Sequence, residues 1–291
     1  MQEVSTTTVY AVGVPIILTL ILFETIVSAR RNLRFYELGD TCGTMGLLFG
    51  NILTSVSIQG STLGLYFYLY QFRILSLNDI LVPWQVWVVT FLAIDFIFYW
   101  YHRASHRVRV LWAIHMNHHS SIEMNFSVAF RQAWFGPISK VPFFMVMPFI
   151  GFDPSITVVA GLCATLWGVV GHTQWITKLG WLDKIFNTPS THRVHHGTNL
   201  EYIDRNYGNI FIFWDRIFGT YAKEKAPVVF GLVKNLNTNN PFKITFYTWA
   251  AMARDVRQAR SFYEIIGHIL GPPDWQPRRK LISIDKTKLV D

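Results

Sequence analysis

The chain is poor in charged residues, which fill 15% of its 291 positions, whereas soluble domains carry about 25%. Hydrophobic residues make up 51% and aromatic residues 16%, and the mean hydropathy is +0.26. This composition excludes an ordinary soluble domain and indicates an integral membrane protein. The net charge of +8 does not favour a nucleic-acid partner, because the basic residues flank apolar runs instead of forming one patch.

Cysteine is almost absent: Cys42 and Cys163 lie far apart in apolar runs. Neither a disulfide framework nor a cysteine metal site follows from them. The chain also lacks a glycine-rich dinucleotide motif and a haem-attachment motif, so it carries no recognisable electron carrier of its own.

No Lys or Arg precedes Arg30, so the first apolar run lacks the basic start of a cleavable signal peptide. This pattern predicts that the run is retained as a membrane anchor.

Long apolar runs predict an all-α integral membrane protein with about four to five transmembrane or hairpin helices. Residues 9–29 are long enough for one span, and residues 43–70 fit one long span or two. A further span is expected over 84–101. Residues 134–175 read as a hairpin that turns at Gly151-Phe-Asp-Pro154.

Basic residues give these spans an orientation. Arg30, Arg31 and Arg34 follow the first run, and of 26 Lys and Arg only Arg73 falls in a segment placed outside. The histidine-rich segments then lie on the cytoplasmic side, in a cytosolic helical cap. We expect N-terminal membrane helices, a catalytic region and an amphipathic cytosolic extension, over residues 1–83, 84–222 and 223–291.

Histidine is concentrated in three clusters. Within each cluster the later histidines follow the first by three or four residues, which places them on the same side of a helix as the first. The isolated His172, at the end of an apolar run, is a ninth candidate ligand. The clusters are His102 and His106, then His115, His118 and His119, then His192, His195 and His196.

Nine imidazoles are too many for one ion but suit two octahedral ions, so the clusters predict a dinuclear metal site. An all-imidazole set suits iron, copper, zinc or nickel. The bland alternative is a set of separately hydrogen-bonded histidines. A buried polar group without a partner costs about 1–3 kcal/mol, so the summed cost for this many imidazoles would rival the free energy of unfolding of a whole domain. A shared cation removes that cost. His268 lies outside every cluster and is expected to be structural.

Asp95 precedes His102 by seven residues, on the same helix face but about 10 Å deeper. It is too far away to ligate the same ion. Either it accepts a hydrogen bond from a metal-bound imidazole of another helix or it makes an ordinary buried hydrogen bond. Asn187, Asn199 and Asp204 are further candidates for supporting the ligands.

A two-metal histidine site at a membrane surface, among aromatic residues, has the surroundings expected for an enzyme that oxidises a C–H bond of a lipid. Three other kinds of protein are alternatives to it. A membrane metal transporter would place ligands near the bilayer midplane, whereas these lie at helix ends. A zinc hydrolase would want a carboxylate beside paired histidines, as in His-Glu-x-x-His, which does not occur. A haem protein needs only one or two axial histidines per haem.

The histidine boxes resemble those of the fatty acid hydroxylase and sterol desaturase superfamily, and their surroundings resemble its alkylglycerol monooxygenase-like branch. The resemblance covers roughly residues 92–221. The motifs that carry it are Asp95-Phe-Ile-Phe-Tyr-Trp-Tyr-His, His119-Ser-Ser, His172-Thr-Gln-Trp, Asn187-Thr-Pro-Ser, Asp204-Arg-Asn-Tyr-Gly and Trp214-Asp-Arg-Ile-Phe-Gly-Thr.

The resemblance implies an O2-dependent enzyme with two non-haem iron ions on the nine histidines, which hydroxylates or desaturates a lipid. Sterol, fatty acyl, ether-lipid and aminolipid substrates are all compatible with it, and electrons would come from a separate reductase, ferredoxin or cytochrome. The C-terminal region, with Gly271-Pro-Pro-Asp-Trp, is similar to that of bacterial members, which implies a bacterial inner membrane. One position departs: Arg107 stands where this branch typically has Glu, which puts a pterin reductant and an ether-lipid substrate in doubt.

Overall fold

The structure is a computed structural model that describes residues 5–277. This part of the chain is helical and contains no β-strand, which confirms the predicted all-α membrane fold with a histidine-rich site. Two short 3-10 helices, Phe126–Phe130 and Leu182–Lys184, accompany the α-helices. The α-helices are α1 (Thr6–Arg30), α2 (Leu38–Tyr70), α3 (Leu77–Ile80), α4 (Pro83–Arg107), α5 (Arg109–His119), α6 (Gly136–Phe144), α7 (Val146–Ile150), α8 (Pro154–Val170), α9 (Pro189–His195), α10 (Phe213–Ile217), α11 (Pro241–Arg257) and α12 (Phe262–Leu270).

Helices α1, α2 and α4 are long and apolar enough to cross a membrane. Their large apolar side chains point outward: Leu22 on α1 is 61% exposed and Phe49 on α2 is 64% exposed. An apolar surface of this extent is stable in lipid but not in water. The protein is therefore an integral membrane protein.

The second apolar run is a single helix rather than two. At 33 residues, α2 is about 50 Å long and exceeds the ~30 Å hydrocarbon core. Its first turns pack against the start of α11. A Cβ on Gly43 would lie 2.6 Å from the Asn239 carbonyl oxygen, so this approach needs glycine.

The hairpin of α6, α7 and α8 turns at Gly151, whose φ of +129° is a conformation that glycine tolerates. Asp153 then caps α8, because its carboxylate accepts the backbone N–H groups of Ser155 and Ile156. The turn lies against the loop between α2 and α3, where Ile74 N–H donates to the Phe149 carbonyl at 2.9 Å. The hairpin thus reaches the end of the bundle opposite to the histidines.

A cap of shorter helices covers the other end. Helix α11 packs on α5 and α2, where Leu47, Met116 and Ile244 form a buried cluster. The expected amphipathic extension begins with α11 and α12, and its residues beyond 277 lie outside the described part. The three-part domain division stays a prediction.

Candidate metal centre

The structure brings all nine clustered histidines together. They form two neighbouring groups, and within each group the candidate ligand atoms lie within 4.8 Å of one another. The rings of His119 and His196, one from each group, are stacked with centroids 4.4 Å apart. The five-histidine group contains His102, His106, His115, His119 and His195, and the four-histidine group contains His118, His172, His192 and His196.

Local helical geometry positions most of these rings. The last two turns of α4 carry the first cluster, the last two turns of α5 carry the second, and α9 with the residue after it carries the third. Helix α9 starts at Pro189, and the Thr191 hydroxyl accepts the backbone N–H of Thr188 at 2.7 Å. His172 lies two residues after the end of α8. The three clusters and His172 therefore converge because four helix ends meet.

Nitrogen–nitrogen distances in both groups are short. In the five-histidine group, His115 Nε2 lies 2.9 Å from His102 Nε2 and 3.1 Å from His119 Nε2. In the four-histidine group, His172 Nε2 lies 3.1 Å from His118 Nε2 and 3.0 Å from His192 Nε2. Neighbouring ligands about 2.1 Å from an octahedral ion are ~3.0 Å apart, against ~3.4 Å around a tetrahedral ion. The spacing is compatible with neighbouring ligands of one octahedral ion, and it is also that of an N–H···N hydrogen bond.

Backbone carbonyls fix the tautomer of three rings. His102 Nδ1 lies 2.8 Å from the Tyr207 carbonyl, His172 Nδ1 2.9 Å from the Gly168 carbonyl, and His195 Nδ1 3.0 Å from the Arg205 carbonyl. A carbonyl can only accept, so the proton sits on each Nδ1. The lone pair of each Nε2 then points into the centre, as metal ligation requires.

Burial keeps the rings outside the membrane spans neutral. It lowers the pKa of His172 to about 4 and lowers the pKa of His115, His118, His119, His192, His195 and His196 well below the usual value. Only an uncharged imidazole offers a lone pair to a metal. Near neutral pH these rings are therefore ready to bind a cation.

Several ring nitrogens have no partner at all among the described residues. Nε2 of His106, His195 and His196 is buried without a hydrogen bond. Unpaired buried nitrogens cost about 1–3 kcal/mol each, and one cation per group would satisfy them together. The donor set therefore fits two metal ions. The assignment of each histidine as a ligand remains a prediction.

The Asp95 carboxylate is not hydrogen-bonded to an imidazole. It accepts the backbone N–H of Ile210 at 2.7 Å, the N–H of Phe211 at 3.0 Å and the indole N–H of Trp214 at 3.0 Å. Of the two interpretations, the buried hydrogen bond is the one found. These bonds fasten to α4 the segment that follows Tyr207, the residue whose carbonyl accepts from His102.

Of the other supporting candidates, Asp204 is the one with a charged contact to a ring. Its Oδ1 lies 3.6 Å from His106 Nδ1, and its Oδ2 lies 3.2 Å from Arg107 Nε. Asn187 Nδ2 lies 3.4 Å from His192 Nδ1 at the edge of hydrogen-bonding range, whereas Asn199 bonds only to backbone groups of a distant loop. The departure at Arg107 therefore sits directly beside the five-histidine group.

Glu24 is the supporting residue whose role sequence reasoning missed. It is fully buried near the end of α1 and accepts three hydrogen bonds, from the Tyr36 hydroxyl, the Phe126 N–H and the Thr173 hydroxyl. Thr173 follows His172 directly. The acid inside the first apolar run was the available signal, but two of its three partners, Phe126 and Thr173, lie more than a hundred residues away in the chain.

An ion pair also stabilises the helix that carries the third histidine cluster. Arg193 donates to the two carboxylate oxygens of Glu224 at 2.9 and 2.8 Å and to the Thr173 carbonyl at 2.8 Å. Burial alone would raise the pKa of Glu224, but the hydrogen bonds from Arg193 and Ser190 hold it below its usual value. This pair locks α9 to the segment around His172.

His268 belongs to neither group. It is buried on α12, with Nδ1 3.3 Å from Arg109 Nη1 and its ring against Trp275. This is the structural environment expected for it. It therefore offers a natural control for the nine clustered histidines.

Comparison with known proteins places these residues in context. Residues 87–220, which include all nine clustered histidines, match the fatty acid hydroxylase family. Alkylglycerol monooxygenase of Homo sapiens is 32% identical over 277 residues, covering 94% of this chain and 61% of that protein. Ornithine lipid hydroxylase OlsE of Rhizobium tropici is 29% identical over 134 residues, or 46% of this chain and 40% of that protein. Delta(7)-sterol 5(6)-desaturase ERG3B of Gibberella zeae is 25% identical over 132 residues, or 45% of this chain and 38% of that protein.

The chain spans about half the length of the alkylglycerol monooxygenases it matches. No solved structure matches it. The matching alkylglycerol monooxygenases are animal proteins, so they give no support to the expected bacterial source.

Proposed function

We propose that the protein is a membrane oxidoreductase that hydroxylates or desaturates a lipid with O2, because residues 87–220 match the fatty acid hydroxylase family and the relatives are lipid hydroxylases, monooxygenases and desaturases. The observation that carries the proposal is the convergence of nine buried imidazoles in two adjacent groups. The groups would hold one iron each. Bound iron would supply the reaction with O2 and the removal of hydrogen from the lipid.

The stoichiometry of the overall reaction determines how many electrons and protons must reach the metal centre. Hydroxylation consumes O2, two electrons and two protons, places one oxygen atom in the C–H bond and releases one water. Desaturation uses the same inputs, removes two hydrogens from the lipid and releases two waters. In both cases O2 is the oxidant, and an outside donor is oxidised.

The residues of this chain hold and shield the centre. The carbonyls of Gly168, Arg205 and Tyr207 orient three rings, and burial by α4, α5 and α9 excludes bulk water from the ligand nitrogens. The centre lies where α4 and α8 end. A lipid carbon that reaches it would therefore lie near the headgroup region rather than at the bilayer midplane.

A lipid substrate agrees with all three classes of relative. Sterol, fatty acyl, ether-lipid and aminolipid substrates remain the candidates. We propose the cytoplasmic side for the centre, because Arg30, Arg31 and Arg34 follow α1 at the end where the histidines lie. A bacterial inner membrane remains an expectation from the C-terminal resemblance alone.

The electron donor is proposed to be a separate protein, a reductase, ferredoxin or cytochrome. The sequence offers no dinucleotide motif, haem-attachment motif or cysteine cluster that could carry electrons within the chain. A partner of this kind must approach the centre from the aqueous side.

Metal identity and stoichiometry test the proposal directly. The protein is purified in detergent without chelator or imidazole and measured by elemental analysis and Mössbauer spectroscopy. We expect two irons per chain. His118→Ala should lose iron and activity, and His268→Gln should keep both, because Gln can still accept a hydrogen bond from Arg109.

One zinc, one haem or no bound metal in the unaltered protein would refute oxygen chemistry and favour a zinc hydrolase or a transporter. Full iron occupancy in His118→Ala would refute the ligand assignment. Comparative lipid analysis of cells with and without the active protein would then identify the modified lipid.

A further inference from the structure

An exposed basic surface lies next to the five-histidine group. Arg205, Lys223 and Lys225 line a groove of about 340 Å³ that also contains Tyr221. The Arg216 guanidinium stacks on the Tyr221 ring at 3.8 Å, which joins it to the groove. We define the basic face as Arg107, Arg205, Arg216, Lys223 and Lys225.

The basic face carries a surplus of positive charge. Three acidic side chains accompany its five cations: Asp204 and Asp274 near Arg107, and Glu201 in the groove. The nearby Glu224 does not offset the charge, because it is committed to Arg193. A leucine, Leu200, is 89% exposed at the edge of this surface. An excess of positive charge on one surface attracts and orients an acidic partner.

This surface touches the candidate ligands through very few atoms. The Arg205 carbonyl accepts from His195 Nδ1 at 3.0 Å, while the Arg205 side chain lines the groove. The adjacent Asp204 lies between His106 and Arg107. Two consecutive residues thus connect the basic face to two imidazoles of one group.

The connecting segment is held firmly. Asp204 and Asn206 adopt left-handed φ angles of 61° and 57° on either side of Arg205. Asn206 is fully buried, donates to the carbonyls of Thr191 and Ala222 at 2.9 and 2.8 Å, and accepts the Ala222 N–H at 2.8 Å. The backbone strain of two such residues persists only where surrounding contacts enforce it. The geometry of the path is therefore preorganised.

We propose that the basic face is the docking surface for an acidic, one-electron carrier protein that reduces the metal of the five-histidine group. This inference rests on the proposed oxidoreductase function. Each docking event oxidises one carrier and passes one electron along the segment of Asp204 and Arg205. Two events supply the two electrons of one turnover, and the two protons come from water.

Charge reversal at the groove tests the docking surface. The full chain in nanodiscs of neutral phosphatidylcholine is titrated with two acidic probes, a plant-type [2Fe–2S] ferredoxin and a soluble cytochrome b5 domain. Binding is measured by microscale thermophoresis at low and high salt. Lys223→Glu/Lys225→Glu should weaken binding of at least one probe about tenfold or more at low salt and flatten its salt dependence.

The matched control is Lys234→Glu/Lys243→Glu, which changes the net charge equally at two exposed lysines outside the basic face. It should bind the probes as the unaltered chain does. Both double variants should keep the same metal content and the same rate of reduction by dithionite. The rate of reduction by the carrier should fall only in the groove variant.

Two results would overturn the proposal: equal weakening in both double variants, and no binding of either acidic carrier to the unaltered chain. Loss of binding to vesicles containing phosphatidylserine in the groove variant, with carrier binding intact, would assign the face to the membrane surface instead. A chain without redox-active metal would refute the proposed function itself. Because carrier binding is measured separately, the two failures can be told apart.

Discussion

The two histidine groups sit in different surroundings. The five-histidine group faces charge and solvent, because Asp204 lies beside His106 and its partner Arg107 is 55% exposed. The four-histidine group faces a buried network in which Glu24 joins α1 to the residue after His172. One group is thus coupled to the aqueous surface and the other to the membrane anchor. We infer that electrons enter beside the first and that the second depends on how α1 is seated.

Removing one imidazole from each group is the strongest way to break this comparison. His195→Ala should lose the metal of the five-histidine group, and His172→Ala the metal of the four-histidine group. Activity should fall more than ~100-fold in both, beyond the usual cost of losing a supporting partner. Iron content and Mössbauer spectra of the two variants measure this. If either substitution empties both groups, they form a single cooperative site.

Glu24→Gln should have the next largest effect, and only on the four-histidine side. The amide keeps one acceptor oxygen but turns an NH2 group toward donors, so hydrogen bonds to a buried charge are lost. Each is worth about 1.5–3 kcal/mol, which should lower the thermal midpoint in detergent by several degrees. Iron should be lost first from the four-histidine group. Glu201→Gln, at an exposed position, is the control. Equal loss of iron from both groups would contradict the inference that Glu24 supports only the four-histidine group.

Asp204→Asn should give the smallest effect, confined to the five-histidine group. The 3.6 Å separation from His106 Nδ1 is longer than a hydrogen bond, so iron affinity should fall by about tenfold, the lower end for a supporting carboxylate. Competition with a chelator, followed spectroscopically, measures the affinity of each group. Weakening of the four-histidine group would show that Asp204 acts on the whole centre.

Much of the fold was predictable from local patterns. The run of residues 9–29 corresponds to α1, and the hairpin turns at Gly151 as predicted. The run of residues 43–70 did not by itself decide between one helix and two; the structure has one helix, and its first turns pack on α11.

The supporting residues were harder to predict than the histidines. Asp95 is at the predicted depth on α4, but its partners come from residues 210–214. The carbonyl groups that orient His102 and His195 belong to Tyr207 and Arg205, and any residue type could provide a carbonyl. No sequence pattern marks such a role.

The sequence by itself determined the membrane helices and the clusters of imidazoles on single helix faces, because a spacing of three or four residues is converted into a shared face by helical geometry alone. Only the tertiary structure decided that His118 and His119, adjacent in sequence, serve different groups, and that His172 joins the four-histidine group. Adjacent residues on a helix point about 100° apart, so each ring meets whichever helix end packs on its side. That packing depends on contacts between distant parts of the chain, which no local pattern specifies.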